Sequence, residues 1–353
     1  MRIIPFDAGA PASMLASWHA LAVATDDELE PYIPPAPFAE ALAGTRDDET
    51  RSRQCWLAAE GDAVAGYAVL ELPLLDNPHL AMLDIRVDVA HRRAGLGSAL
   101  AEAAASAARE AGRRTLLIEA VDGSAGAAFC TALKGEVALR STPSVLTMAE
   151  LDEALVDRWI SRRAERAAGY SLARWIGGCP ANLIESFASL REAMNTAPLG
   201  TLDLTIEWTP RTVRAAEGAQ ARVGHRHFVV CARHDASGEL VALTDLVVPS
   251  RRPTVALQED TVVRPDHRNR GLGRWVKAEM LRWLAGEEPH VERIVTWNAT
   301  ENDAMRSINT ELGFVARDPW AEWQFGIDAL TRSLVKIRGG AAARDRAASP
   351  WRP

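Results

Sequence analysis

The chain has 353 residues, 48% hydrophobic and 25% charged, and carries a formal net charge of −7. That length exceeds one ordinary core and suits two domains, each able to bury its own apolar centre. The acidic balance argues against a nucleic-acid surface, and no apolar run approaches the roughly 18 residues of a membrane span. The N-terminal MRIIPFDAGAPASM has neither the basic nor the long apolar region of a secretory signal, so a cytoplasmic setting is expected.

In chain order, QCWLAAEGDAVAGYAVLE (54–71) reads as two strands turning at Gly61-Asp62. AMLDIRVDV (81–89) alternates, with Leu83, Ile85, Val87 and Val89 on one face. The loop HRRAGLG (91–97) follows, then an alanine-rich helix that stops at Gly112, the strand TLLIEAV, a helix beginning at GAAFCTAL, and the strand SVLTM (144–148). The second half repeats this order. HFVVCARH and ELVALTDLVVP flank the turn 235–238, ALQEDTVV precedes the loop HRNRGLG (267–273), and RWVKAEMLRWL is helical with Leu272, Val276, Met280 and Leu284 spaced by four. RIVTWNA, NDAMRSINTEL and AEWQFGI complete the copy. Matching orders around matching loops mark an internal duplication. The expected layout is a first domain over 1–150, a helical connector over 151–168, a second domain over 169–338 that opens with a helix (182–194), and a disordered tail over 339–353.

Each loop lies between a strand and a helix, where unpaired amides of the first helical turn and the positive end of the dipole favour an anion. Gly95, Gly97, Gly271 and Gly273 let a phosphate approach the backbone, and neighbouring arginines add charged donors. A dinucleotide fingerprint would need a third glycine where Leu100 and Val276 stand, and neither copy is a Walker loop. What both copies share is R-x-x-G-x-G.

That pattern, Arg92-Arg93-Ala94-Gly95-Leu96-Gly97 followed by Ser98 and Arg268-Asn269-Arg270-Gly271-Leu272-Gly273 followed by Arg274, resembles the acetyl-CoA pyrophosphate loop of the GNAT superfamily of N-acyltransferases. The segment from Asn302 through Met305, Ile308, Asn309 and Leu312 to Gly313-Phe314 resembles that superfamily's last helix, and the duplication is similar to its tandem members, the group that includes mycothiol synthase. The resemblance implies an α/β (α+β) fold of two tandem domains, each a twisted mixed sheet with helices on both faces. It implies fourth and fifth strands that splay around a pantetheine arm, and acetyl-CoA as co-substrate. Pyrophosphate contacts fall on the two loops and Asn302. Val262 and Val263, with Val87 and Val89 in the first copy, would offer backbone groups to the thioester and pantetheine.

In that superfamily a base often sits nine or eleven residues before the loop. Those positions are Glu259 and Leu257 in the second half, but the apolar Leu83 and Ala81 in the first. Glu259 is therefore the expected base, and the second half the catalytic one. Asp84 and Asp260, one residue further on, are expected on the opposite strand face, paired with a loop arginine. Trp297 and Asn298 at the end of the next strand are placed to order a water, although Trp297 also suits a core. Asn309 stands where the resemblance would put a tyrosine acid, and can donate to sulfur without protonating it. The expected reaction is acetylation of a small-molecule primary amine by direct attack in a ternary complex; a non-catalytic acyl-CoA sensor is the alternative the absent tyrosine keeps open. The four separated cysteines read as buried thiols, and His225, His227 and His234 lack the partners of a metal site, so no metal is expected.

Overall fold

Hairpin and alternation signals place most strands where the sequence does, and the order of pairing decides the architecture. The computed structural model describes residues 1–162, 165 and 167–348, with backbone alone for 338–348. Two compact units are present, the first formed by Met1–Pro31, Pro35–Leu139 and Trp320–Pro353, the second by Tyr32–Pro34 and Arg140–Pro319.

The first unit holds β1 (Arg2–Pro5), α1 (Ala12–Leu29), α2 (Phe38–Ala43), β2 (Arg51–Glu60), β3 (Ala63–Pro73), β4 (Leu80–Val87), α3 (Leu96–Glu110), β5 (Thr115–Val121), α4 (Ala125–Ala132) and the start of β6 (Glu136–Thr147). Leu100, Ala101, Ala104, Ala105 and Ala108 form the buried stripe of α3, and their small size lets it lie close on the sheet. The second unit holds the rest of β6, then α5 (Glu153–Ser161), β7 (Tyr170–Ile176), α6 (Ile184–Arg191), α7 (Pro210–Arg222), β8 (Arg226–His234), β9 (Leu240–Val248), β10 (Val255–Val263), α8 (Leu272–Glu287), β11 (Arg293–Ala299), α9 (Asp303–Glu311) and β12 (Val315–Ala316). The chain then returns to the first unit through β13 (Trp320–Gly326) and α10 (Ile327–Ala348).

The cut expected at residue 150 is corrected by the pairing of these closing strands. β13 runs antiparallel to β5, from Trp320↔Val121 to Gly326↔Thr115, while β6 runs antiparallel to β11, from Arg293↔Thr147 to Ala299↔Ser141. Each copy thus takes its final strand from the other copy's segment of the chain. Packing fixes the exchange: Phe325, Ile327, Leu330 and Leu334 join the core beneath α3, and a Cβ on Gly135 would meet the Phe325 ring at 2.5 Å.

In the second unit the sheet order is β6-β11-β10-β9-β8-β7, and β10·β11 is its parallel pair. Phe228, Val230 and Ala242 face α8 and α5, while Val229, Cys231 and Leu243 face α6 and α7. Helix α7 escaped the sequence reading, although Pro210 follows a Thr209–Thr212 capping box. The expected disorder from Gly339 is also corrected: α10 continues to Ala348, in keeping with the helix propensity of AAARDRAA, and 349–353 lie outside the described residues, as do 163, 164 and 166 of the connector. No helix among the described residues is long and apolar enough to cross a membrane.

Candidate active site

The two loops adopt one conformation. Arg93 and Asn269 have φ of 66° and 63°, and Gly95 and Gly271, each capping its helix, have φ of 83° and 78°. The first helical bonds run from Ala99 to Gly95 and from Trp275 to Gly271, both 3.0 Å, and neither helix carries a side-chain cap. The amides of Leu272, Gly273 and Arg274, like those of Leu96, Gly97 and Ser98, are left pointing out of the helix end as an anion nest. A Cβ on Gly273 would lie 3.6 Å from Val263 and 3.9 Å from Ile308, so the glycine keeps that approach open. Beside it a crevice is lined by Arg162, Arg270, Gly271 and Arg274, with Trp159 as wall. Such a nest fits a diphosphate. The side chain of Leu272 is buried, leaving its amide as the group on offer.

The first arginine of each loop is used locally. Arg268 Nε donates to the Val263 carbonyl at 3.0 Å and Arg92 Nε to the Val87 carbonyl at 3.1 Å, which staples each loop to the end of its strand. Arg268 Nη2 also reaches Thr196 Oγ1 at 3.1 Å. Arg92 instead forms a two-pronged pair with Glu28 of α1, at 2.8 and 2.5 Å, and that hydrogen bond holds the Glu28 carboxyl below its usual range.

From the loop, β10 leads back to a divergence of strands. β10 and β11 pair only from Val255↔Arg293 to Gln258↔Thr296, and then separate. β4 and β5 separate in the same way after Met82↔Leu117. Glu259 is the first β10 residue past that point, at the head of the gap. Between Gln258 and Thr261 the β9·β10 register also slips. Strict alternation therefore fails there, and the expectation that Asp260 faces away from Glu259 is corrected. Both lie within electrostatic reach of the same cluster.

That cluster centres on Asp245, the one acid in the wholly buried strand LVALTDLVV. Asp245 receives the Arg191 guanidinium of α6, lies 2.8 Å from His227 Nε2, and accepts from the Asp260 amide at 2.9 Å. Arg191 Nη1 also donates to Asp260 at 2.7 Å. Asp260 is thus paired with a helix arginine rather than with a loop arginine, and Asp84 pairs with Arg86 of its own strand at 2.8 Å. Burial alone would raise Asp245, but Arg191, His227 and the amide outweigh it and hold the carboxyl below its ordinary value. Asp260 has fewer donors, so burial and the neighbouring Asp245 raise it against Arg191. Glu259 keeps solvent access, yet burial, with Asp245 and Asp260 adding repulsion, pushes it up to about 7. A carboxylate poised there can take a proton near neutral pH.

Arg191 also lies over the rings of Phe187 and Trp208, so it ties the α6–α7 segment to β9 and β10. Replacing it by Met leaves Asp245 buried without its cation. The expected cost is about 3–5 kcal/mol in urea denaturation at pH 7. Asp245 has a depressed native pKa, so this stabilisation is full above the ordinary carboxylate range and is lost as pH falls through it; the gap between variant and wild type should close below about pH 4.

On the opposite sheet face, Asn309 is buried and donates to Asn298 Oδ1 at 2.6 Å, so the structure brings these two expected residues together. One N–H of Asn309 goes to Asn298, and its Oδ1 is buried without a hydrogen-bond partner. Asn302 caps α9, accepting from the Met305 amide at 3.2 Å. Trp297 is not core: it is 36% exposed. The sequence reading missed Arg191 and Asp245, and weighed His227 only as a metal ligand. Its available signal was Asp245, a lone acid inside an apolar run, which burial obliges to find a partner. Among the described residues no three His, Cys, Asp or Glu gather at metal-binding spacing, and the four cysteines are free and buried.

The first unit has the nest and the divergence without this arrangement. Leu83 is buried beneath α3, the next residue Asp84 is paired with Arg86, and Glu119 stands directly across from Glu322 of β13. Burial, with repulsion from Glu119, pushes Glu322 up to about 7.

A twisted mixed sheet, parted between its parallel strands and followed by an open amide loop, is the frame of an acyltransferase. The acetyltransferase (GNAT) family profile matches twice, over 18–130 and 189–314, so the chain belongs to the GNAT acetyltransferase family. A tandem GNAT protein from the clavulanic acid biosynthesis pathway is similar over 92% of this chain and 98% of its own, at 26% identity and a TM-score of 0.76. A GCN5-related N-acetyltransferase from Sphaerobacter thermophilus shares the fold at 15% identity and a TM-score of 0.62, covering 92% of this chain and 96% of its own. The GCN5-related glucosamine N-acetyltransferase region of a fungal multi-domain GH3 beta-N-acetylglucosaminidase does so at 12% and 0.63, over 92% of this chain and 38% of that protein. No curated protein matches the chain.

Proposed function

We propose that the chain is an acetyl-CoA-dependent N-acetyltransferase that acetylates a primary amine of a small molecule by direct attack in a ternary complex, with catalysis in the second unit. The observation that carries this is Glu259, poised near neutrality at the head of the β10/β11 gap. Members of the family use acetyl-CoA. Here the amides of Leu272, Gly273 and Arg274, with Arg270 alongside, hold the diphosphate, and the free edge of β10 through Val262 and Val263 receives the pantetheine. Asn269 supplies the left-handed turn that aims those amides. Arg268 acts as the staple of the loop, and Asn302 shapes the start of α9.

Asp260 and Asp245 share one guanidinium, with Glu259 beside them, and this residual negative charge draws a protonated amine. Glu259 removes one ammonium proton, the nitrogen attacks the thioester carbonyl, the C–S bond breaks, and the nitrogen's second proton leaves with the thiolate as free thiol. Asn298, held through its Oδ1 by Asn309, turns its amide N–H donors toward the thioester. Release of free thiol from acetyl-CoA in the presence of primary amines is the expected result. Tight acetyl-CoA binding without turnover would support the sensor reading instead.

A further inference from the structure

Trp297, 36% exposed, is the one tryptophan among the described residues that stands at the surface rather than buried or half-buried. An indole left more than a third exposed keeps a large apolar face in water, and its position on β11 is informative. Even-numbered side chains of β11 face α8 and α9: Ile294 joins that core and Asn298 meets Asn309. Odd-numbered ones face the other side, where Val295 packs with Val255, Leu257, Tyr32 and Ile33. Trp297 continues that second row, and Leu257 is followed two residues on by Glu259. Since Gln258↔Thr296 is the last pair before the strands part, Glu259 and Trp297 are the next residues on the two diverging strands, on one face. On its other flank Trp297 is in register with Pro143 of β6. The mouth of the gap thus has a charged side, made by Glu259 with Asp260, Asp245 and Arg191, and an apolar planar side, made by Trp297 and Pro143.

Resting on the amine-acetylation reading above, we propose that Trp297 is a specificity-determining residue: it packs against the planar, apolar body of an aromatic amine whose ammonium is held by the carboxylates beside Glu259. A polyamine or amino alcohol leaves the indole face in water, whereas an arylalkylamine covers it and places its nitrogen a short methylene chain away, at the base. In the first unit the corresponding β5 residue is Glu119, so this recognition belongs to the second unit alone.

The test compares acetylation of phenethylamine and n-pentylamine by the full-length wild type, Trp297→Ala and Trp297→Phe. The wild type is expected to prefer phenethylamine. Trp297→Ala raises the KM for phenethylamine by roughly ten-fold or more, removes the preference, and leaves the KM for acetyl-CoA unchanged. Trp297→Phe, which keeps an aromatic face, retains most of the preference. An equal loss for both amines, a wild type without preference, or a rise confined to the acetyl-CoA KM overturns the assignment while leaving amine acetylation standing. A wild type that binds acetyl-CoA and acetylates neither amine removes the acceptor reading itself, and this inference with it.

Discussion

Glu259→Gln is expected to abolish the neutral-pH inflection of kcat/KM for the amine. In the wild type the profile should rise through an apparent pKa near 7, because burial and two neighbouring carboxylates keep the Glu259 proton on below that point. The variant offers no base, so at pH 7.5 the expected loss is roughly 10²–10³-fold. The deficit should narrow at higher pH, where free amine becomes abundant and needs no proton removed. Stability should move the other way. A carboxyl with a raised native pKa destabilises the fold as pH climbs from its unfolded value through its native one, so the charge of Glu259 works against folding above about 7. Thermal melts across pH 5 to 8 should show Glu259→Gln gaining on the wild type as pH rises. An unchanged rate profile would remove Glu259 as base, whatever the melts show.

Gly271→Val and Gly95→Val form the second experiment, since each puts a β-branched residue at nearly the same left-handed dihedral, φ of 78° and 83°. The direct strain is similar, about 1–2 kcal/mol, so both should lose comparable stability. Function should separate them. Forcing Gly271 out of its conformation turns away the amides that open α8, and calorimetric affinity for coenzyme A should fall roughly a hundred-fold, as expected when several charge-assisted bonds lose their geometry. Gly95→Val should lower turnover far less, because in the first unit Leu83 is buried beneath α3 and the neighbouring acid, Asp84, is held by Arg86. Equal loss of turnover in both would overturn the division of labour between the copies.

What was legible in the sequence follows from what is locally encoded. The loops are readable because glycine at Gly95 and Gly271 answers a dihedral requirement that few residues meet. Strands were readable from alternation and turns. Their partners were not, because β6 and β13 present equivalent faces to equivalent neighbours, and no local pattern states which copy a strand completes. Glu259 is singled out in the sequence by its distance from the loop. Asp260 was put on the wrong face because a slip in β-pairing leaves no trace in a period of two. Arg191 was invisible for another reason: its partners Asp245 and Asp260 lie on strands reached only after α7 and β8. The helical tail is hard to read because it carries no apolar stripe, and only the helix-forming tendency of its alanines and arginines marks it.

The strand exchange has a consequence for biosynthesis. Val121 must wait for Trp320, so the N-terminal copy emerges from the ribosome long before the strand that completes it. Until then β5 presents an open edge to whatever strand is near, and the nearest in time is β6, the wrong one of two similar choices. Closure over so long a stretch of chain makes late folding slow. A chaperone that shields the nascent first copy would keep the wrong pairing from setting before translation ends.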